Sequence, residues 1–172
     1  MSAANHLFLL ILPFRSTVIN AHANSCTPKS GDNADAILRR MINRYLLGDK
    51  DCKPNAVSFT AAIKAHSSAM NTTLSMLADE DNEQREVEGN YGDVTRNEAT
   101  HQRITSSAKR CEDLLQQLCL LYQTFGNDRS LKPTPVTFDL VTRALTQVED
   151  REGVARVKAL RDAVMVRESS RR

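Results

Sequence analysis

The chain has no tryptophan, and aromatic residues make up only 5% of its 172 residues. Proteins that stack nucleic-acid bases on aromatic platforms depend on such side chains, so this mode of binding is not expected. Glycine is sparse, with six residues, and the histidines are scattered at His6, His22, His66 and His101. No nucleophile elbow and no phosphate-binding loop occurs. The sequence therefore predicts no catalytic residues, and we expect that the protein is not an enzyme.

Cysteine is also scarce, and its spacing is not that of a metal site. The four cysteines are Cys26, Cys52, Cys111 and Cys119, and no two of them stand as close as the ligand pairs of zinc sites. Cys111 lies on an apolar stripe and Cys119 lies beside it, which predicts core thiols. We expect no metal site, no cofactor and no disulfide framework, a pattern that fits a reducing or organellar interior.

Long apolar runs are lacking too. The run Leu7–Leu12 has six residues, ends at Pro13 and is too short to span a membrane. It could form the core of a signal peptide, with Ala21–Ala23 as a small-x-small cleavage site. Against this, the first six residues carry no Lys or Arg, and a transit peptide would need more than the single nearby Arg15. No clear targeting signal can be read, and residues 1–12 stay an unassigned apolar segment.

What the chain does contain is an internal repeat. Residues 53–59 read Lys-Pro-Asn-Ala-Val-Ser-Phe, and residues 132–138 read Lys-Pro-Thr-Pro-Val-Thr-Phe. Each copy follows a glycine and a short polar stretch, beginning at Gly48 and Gly126, which is the signal of a helix end. The proline pre-sets the backbone for a tight entry into the next helix. Internal repetition of this kind decides the architecture.

Apolar residues outside the two motif copies share one spacing. They step by four, three and four residues, which places one apolar face on a helix. The three stripes are Ala34, Leu38, Met41 and Tyr45; Cys111, Leu115, Leu118 and Tyr122; and Gly153, Val157, Leu160 and Val164.

These patterns predict an all-α fold of three helix pairs. The first helix of each pair, the A helix, is expected at about 14–24, 56–68 and 135–147. The second, the B helix, is expected at about 33–47, 108–124 and 151–168. The repeats within the domain 13–168 are then about 13–54, 55–133 and 134–168, with a basic tail at 169–172. A single pair cannot bury its apolar face, so the pairs should stack into a short α-solenoid of tandem helix-turn-helix repeats.

The middle repeat is longer than the others because of an insertion at residues 69–107. This stretch holds eight acidic and three basic residues, a net charge of −5, which leaves +7 for the rest of the chain. Its centre is polar and poor in apolar residues, so we expect a disordered or weakly helical acidic insertion. It is expected to loop out, with competition against a ligand for the basic face as the alternative.

The chain resembles the pentatricopeptide repeat family in three features. These are the Lys-Pro-(Asn/Thr) junction, the Val-(Ser/Thr)-Phe start of the A helix, and the Ala/Cys-x3-Leu-x2-(Met/Leu) stripe of the B helix. The resemblance covers nearly the whole chain except the first dozen residues and residues 69–107. Tetratricopeptide repeats share the helix-turn-helix plan, but their characteristic Trp is absent here. The resemblance implies sequence-selective binding of single-stranded RNA, one base per repeat. It also implies a role in RNA processing, stability or translation in the mitochondrion or plastid.

The resemblance further implies which residues read the bases. The main reader lies in the first turn of each A helix, which gives Ser16, Thr60 and Asp139. The second reader directly follows Lys-Pro before the next A helix, so Asn55 is the partner of Ser16, and Thr134 is the partner of Thr60. The sequence ends before another repeat would supply a partner for Asp139. These short side chains have defined donor and acceptor groups, but they are also common helix N-caps.

Other surface residues complete the expected RNA site. By the same resemblance, Val57 and Val136 would pack against base faces, and Lys64 and Arg143 could meet phosphates. Three repeats would read about three bases at most. The chain is therefore expected to work with other proteins of an RNA-processing complex or to belong to a longer array. The alternative that the sequence leaves open is a helical-repeat scaffold that binds a protein partner without RNA.

Overall fold

The fold is all-helical, as a computed structural model shows for residues 15–84, 93–126 and 128–169. Within these ranges no strand occurs, and the prediction of an all-α fold is confirmed. The α-helices are α1 (Arg15–Ser25), α2 (Ser30–Leu46), α3 (Ala56–Gln84), α4 (Asp93–Thr124), α5 (Pro135–Gln147) and α6 (Arg151–Ser169). Two short 3-10 helices, Lys50–Cys52 and Arg129–Leu131, precede the two Lys-Pro motifs. The predictions for residues 1–12 and for most of the basic tail fall outside the described residues.

The six helices pack against one another in a regular order. Each helix contacts the next helix along the chain. The A helices also pack side by side, α1 against α3 and α3 against α5. The phenylalanines of the two motif copies, Phe59 and Phe138, are fully buried. The predicted stripes of the B helices face the same core, with Tyr45 and Leu160 only half-buried. The period of the apolar residues therefore predicted the buried face of each B helix.

The insertion was expected to be disordered or weakly helical, and its described part is helical. α3 continues beyond Ser68 to Gln84, and α4 begins at Asp93 instead of Ala108. The centre of the insertion at 85–92 lies outside the described residues, whereas residues 69–84 and 93–107 are helical, and we call these two segments the helical arm. The cause is an apolar stripe that continues along α3 in steps of four and three residues, through Met70, Leu74 and Leu77. Met70 is buried in the core, and the two leucines pack against it.

Both junctions between a B helix and the next A helix have the same construction. Gly48 and Gly126 adopt left-handed backbone angles, with φ of 96° and 68°, as expected for a glycine that ends a helix. Each 3-10 turn that follows buries one apolar side chain. The ammonium of Lys53 in the first junction contacts the carboxylate of Asp128 in the second. This contact and the Ser130 N–H lower the pKa of Asp128 to about 2, and together they tie one junction to the next.

A buried carboxylate joins α4 to α6. The Glu112 side chain is fully buried, and Arg156 of α6 donates to it through Nε at 2.7 Å and Nη2 at 3.0 Å. Lys109 adds a third charged contact, with its Nζ 2.8 Å from Oε2. The hydrogen bond from Arg156, followed by that from Lys109, lowers the pKa of Glu112 to about 2 although burial opposes this. The guanidinium and the carboxylate thus form two parallel charge-assisted hydrogen bonds, which are stronger than hydrogen bonds between neutral groups.

The equivalent contact between α2 and α4 starts from the same stripe position. Asp35 directly follows the first stripe residue of α2, as Glu112 does in α4. Its carboxylate accepts from Arg110 Nε at 3.2 Å and Arg110 Nη2 at 2.8 Å. Arg39, one turn further along α2, adds a contact of 2.8 Å. Successive B helices are thus held together by an acid on one helix and an arginine on the next.

His66 occupies a tight site where α2 meets α3. The residue is buried, and its Nε2 atom has no hydrogen-bond partner among the described residues. A Cβ atom built on Gly31 would lie 2.5 Å from His66 Nδ1, so only glycine leaves room for the ring. Burial lowers the pKa of His66 below 6.5. The site therefore favours a neutral imidazole.

Cys111 and Cys119 are core residues, as the sequence predicted. Cys52 is also buried, whereas Cys26 is exposed. Burial raises the pKa of the Cys111 and Cys119 thiols to about 12. A thiol with so high a pKa carries almost no thiolate at neutral pH, so both act as core side chains.

Candidate nucleic-acid interface

The two predicted second readers, Asn55 and Thr134, cap the A helices that follow them. Asn55 Oδ1 accepts from the Ser58 N–H at 2.9 Å, and Ser58 Oγ accepts from the Asn55 N–H at 3.0 Å. At the next junction, Thr134 Oγ1 accepts from the Thr137 N–H at 3.3 Å. N-caps of this kind stabilise a helix by about 1 kcal/mol. Capping occupies one of the two lone pairs of Asn55 Oδ1, so the amide N–H groups and the second lone pair can contact a ligand.

The structure brings Thr60 and Thr134 together, as the predicted pairing requires. The contact is indirect and passes through Thr137, a fully buried residue of α5. Thr137 Oγ1 lies 2.8 Å from Thr60 Oγ1 and 2.9 Å from Thr134 Oγ1. Thr60 Oγ1 also donates to the Ala56 carbonyl at 2.7 Å. Thr137 was not among the predicted site residues, although Ser58 holds the same motif position and also carries a hydroxyl.

In the described part of the structure, no contact links the other two predicted readers, Ser16 and Asp139, to another reader. Ser16 lies on α1, and its side chain is outside the described part of the structure, so its pairing with Asn55 stays a prediction. Asp139 is exposed on α5, and Arg161 Nη1 of α6 lies 3.4 Å from its carboxylate. A pair between two exposed side chains adds little stability, so a ligand could displace Arg161 at small cost.

Two apolar side chains stand on the surface beside these hydroxyls. Val57 is 57% exposed and Val136 is 61% exposed, and each lies three residues before a predicted reader, Thr60 or Asp139. Valine at the same position of two neighbouring helices is thus turned to solvent, whereas the phenylalanine two residues later is buried in both. Such a pair of exposed apolar side chains offers a surface on which planar groups could pack.

Basic residues follow one turn further along the same helices. Lys64 and Arg143 are both exposed, and each comes four residues after a predicted reader. Lys64 Nζ donates to Asn24 Oδ1 of α1 at 2.9 Å. We call the surface formed by these two residues with the readers and valines of α3 and α5 the A face. Its members are Val57, Thr60, Lys64, Thr134, Val136, Asp139 and Arg143.

Comparisons with models of protein families, with curated proteins and with solved structures give no match to this chain. Among the helices described, none combines the length and apolar character that crossing a membrane requires. In the described ranges, no three His, Cys, Asp or Glu side chains are grouped as ligands for a metal ion.

Proposed function

We propose that the chain is a short α-solenoid of pentatricopeptide-like repeats that binds single-stranded RNA along the A face. The observation that carries the proposal is the hydrogen-bonded link between Thr60 and Thr134, the two residues that the resemblance pairs at one base. They are far apart in sequence and belong to different repeats, and α3 and α5 pack so that Thr137 joins them. The exposed Thr134 and half-buried Thr60 hydroxyls supply a polar edge for one base, and an exposed valine supplies an apolar face.

The charge distribution of the A face supports the same function. Lys64 and Arg143 lie on successive A helices at one position, where they could contact successive phosphates. The helical arm occupies the later turns of α3 and the earlier turns of α4, so it is separate from the first turns of the A helices. The setting that the resemblance implies is RNA processing, stability or translation in the mitochondrion or plastid.

The test is fluorescence anisotropy with short single-stranded RNA at low and physiological salt. If Lys64 and Arg143 each neutralise one phosphate, the logarithm of the association constant should fall with the logarithm of salt with a slope of about −1.4. RNA should bind more tightly than a DNA duplex. Failure of the folded protein to bind any RNA at tens of micromolar would overturn the proposal.

Replacing both threonines, as Thr60→Ala with Thr134→Ala, should weaken binding to the preferred RNA about tenfold, because one base loses its polar contacts. Base preference should change at one position only. Thr134→Ala also removes an N-cap, so the melting temperature is measured in parallel. Thr105→Ala with Thr124→Ala is the matched control, since both threonines are exposed on α4 and both bond to a carbonyl one turn earlier. Equal losses in the two double variants would remove Thr60 and Thr134 from the site.

A protein-binding scaffold is the second candidate, and one apolar patch favours it. Leu46, Leu47, Leu120 and Phe125 are exposed near the carboxyl ends of α2 and α4. The two helix ends are adjacent, because the rings of Tyr45 and Phe125 lie 6.0 Å apart edge to face. Exposed apolar clusters commonly mark protein contacts. Absence of RNA binding by a folded sample would leave this candidate as the better one.

A further inference from the structure

Three hydroxyl groups form a continuous hydrogen-bonded chain where α3 packs against α5. This row of hydroxyls begins at the exposed Thr134, passes through the buried Thr137 and ends at the half-buried Thr60. Its oxygen–oxygen distances are 2.9 and 2.8 Å, and Thr60 Oγ1 lies 2.7 Å from the Ala56 carbonyl oxygen. All are normal lengths for hydroxyl hydrogen bonds.

Only one order of the three hydroxyl protons satisfies every contact in this chain. The Ala56 carbonyl can only accept, so Thr60 must donate to it. Thr137 must then donate to Thr60, and Thr134 must donate to Thr137. The reverse order frees the Thr134 proton but loses the hydrogen bond from Thr60 Oγ1 to the Ala56 carbonyl. In the favoured order all three protons stay inside the protein, and Thr60 and Thr134 meet a ligand as acceptors.

We infer that Thr137 sets the base specificity of this site, because it accepts the proton of Thr134 and donates its own proton to Thr60. The proton of Thr60 goes in turn to the Ala56 carbonyl. The site then takes bases through their N–H groups, above all the exocyclic amino groups, rather than through carbonyl oxygens. This inference rests on the proposed function, and it gives the buried Thr137 a positioning role without contact to RNA.

The junction before α3 lacks such a chain. There Ser58 Oγ donates to the Asn55 carbonyl at 2.7 Å, and Asn55 Oδ1 accepts from the Ser58 N–H. Asn55 therefore offers its amide N–H groups to a ligand, whereas Thr134 offers a lone pair. The two junctions thus differ in the groups that they can offer to a ligand, since Asn55 keeps amide N–H donors and Thr134 does not. The difference follows from the hydrogen bonds of the motif residues Ser58 and Thr137.

The experiment compares labelled oligoadenylate with the matching oligomer of purine riboside, which differs only by the missing 6-amino group. Wild type should prefer oligoadenylate. Thr137→Val is nearly isosteric and frees the Thr134 proton, so the preference should fall by about threefold to tenfold. Thr137→Ser keeps the hydroxyl and should restore the preference. Circular dichroism and the unfolding midpoint check the fold of each variant.

Thr137→Ala removes the same hydroxyl with a smaller side chain if the valine methyl does not fit the buried site. The Ser16–Asn55 position contributes equally in every variant, so it cancels from the comparison. An unchanged preference in a folded, RNA-binding Thr137→Val or Thr137→Ala protein would overturn this inference and leave the proposed function standing. Failure of the folded wild type to bind either oligomer would overturn the proposed function and this inference with it.

Discussion

Replacing Glu112 with alanine is expected to lower the free energy of unfolding by about 2–4 kcal/mol, well above the ordinary effect of a point mutation. The carboxylate is fully buried and accepts hydrogen bonds from Arg156 and Lys109. Its loss leaves a cavity between α4 and α6 and removes the charged contact that holds these helices together. Urea unfolding followed by circular dichroism measures the change. Glu98→Ala on the exposed face of α4 is the control and should change the unfolding energy by less than about 0.5 kcal/mol.

The same contact predicts a pH dependence with a definite sign. The pKa of Glu112 is lowered from 4.5 to about 2 in the folded protein, mainly by the hydrogen bond from Arg156. A carboxylate with a lowered folded pKa contributes its full stabilisation above the unfolded pKa and loses it as the pH falls toward the folded one. The stability difference between wild type and Glu112→Gln should therefore shrink between about pH 5 and pH 2. A difference that stays constant through this window would show that the carboxylate charge does not stabilise the fold.

Replacing Gly31 with alanine should destabilise the protein by about 2 kcal/mol, although alanine normally favours a helix over glycine by about 0.5–1 kcal/mol. The added Cβ would lie 2.5 Å from Nδ1 of His66 and 2.8 Å from its Cγ. Both atoms belong to the rigid imidazole ring, which is buried and cannot move aside, so α2 or α3 must shift to make room. The measurement is again the free energy of unfolding in urea.

A double-mutant cycle with His66→Ala locates the strain. Once the ring is removed, Gly31→Ala should be neutral or slightly stabilising, because only its helix preference remains. Equal costs of Gly31→Ala with and without the ring would place the strain elsewhere.

The same pair of backgrounds shows a second effect of the His66 ring. The pKa of His66 lies below 6.5 chiefly because of burial, while Asp35 and Asp32 oppose the shift and Arg110 and Arg39 add to it. The unfolded chain therefore binds the proton first, and His66 should reduce stability as the pH falls below about 6.5. His66→Ala should lack this component.

The sequence predicted a helix correctly wherever the spacing of apolar residues agreed with the glycine and proline signals at the helix ends. α5 begins at Pro135 and ends at Gln147, as expected, and the left-handed Gly48 and Gly126 end the B helices before them. The extent of the helical arm was not predicted, because its acidic composition indicates at most a weak helix. Met70, Leu74 and Leu77 continue the apolar stripe through this stretch, and packing of that stripe stabilises a helix despite unfavourable composition.

Contacts between helices were harder to predict than the helices themselves. The resemblance placed Thr60 and Thr134 at one base, but the linking role of Thr137 depends on how α3 and α5 pack. The charged contacts of Asp35 and Glu112 likewise join residues that are distant in sequence. A signal for the acids was present, since both directly follow the first residue of their stripe. The arginines gave none, because Arg110 and Arg156 occupy different positions on their helices.

The helical arm enters the chain between the two helices of one pair, and this placement has a consequence for evolution. Each junction that carries a Lys-Pro motif must keep its length, because it sets the offset between one helix pair and the next. Residues gained or lost between α3 and α4 leave both junctions and the A face in place, and longer connections of this kind cost little in loop entropy. If they come as matched turns on both helices, they also keep the two stripes in register. Relatives of this protein should therefore differ in arm length long before they differ in the spacing from Gly48 to Lys53 or from Gly126 to Lys132.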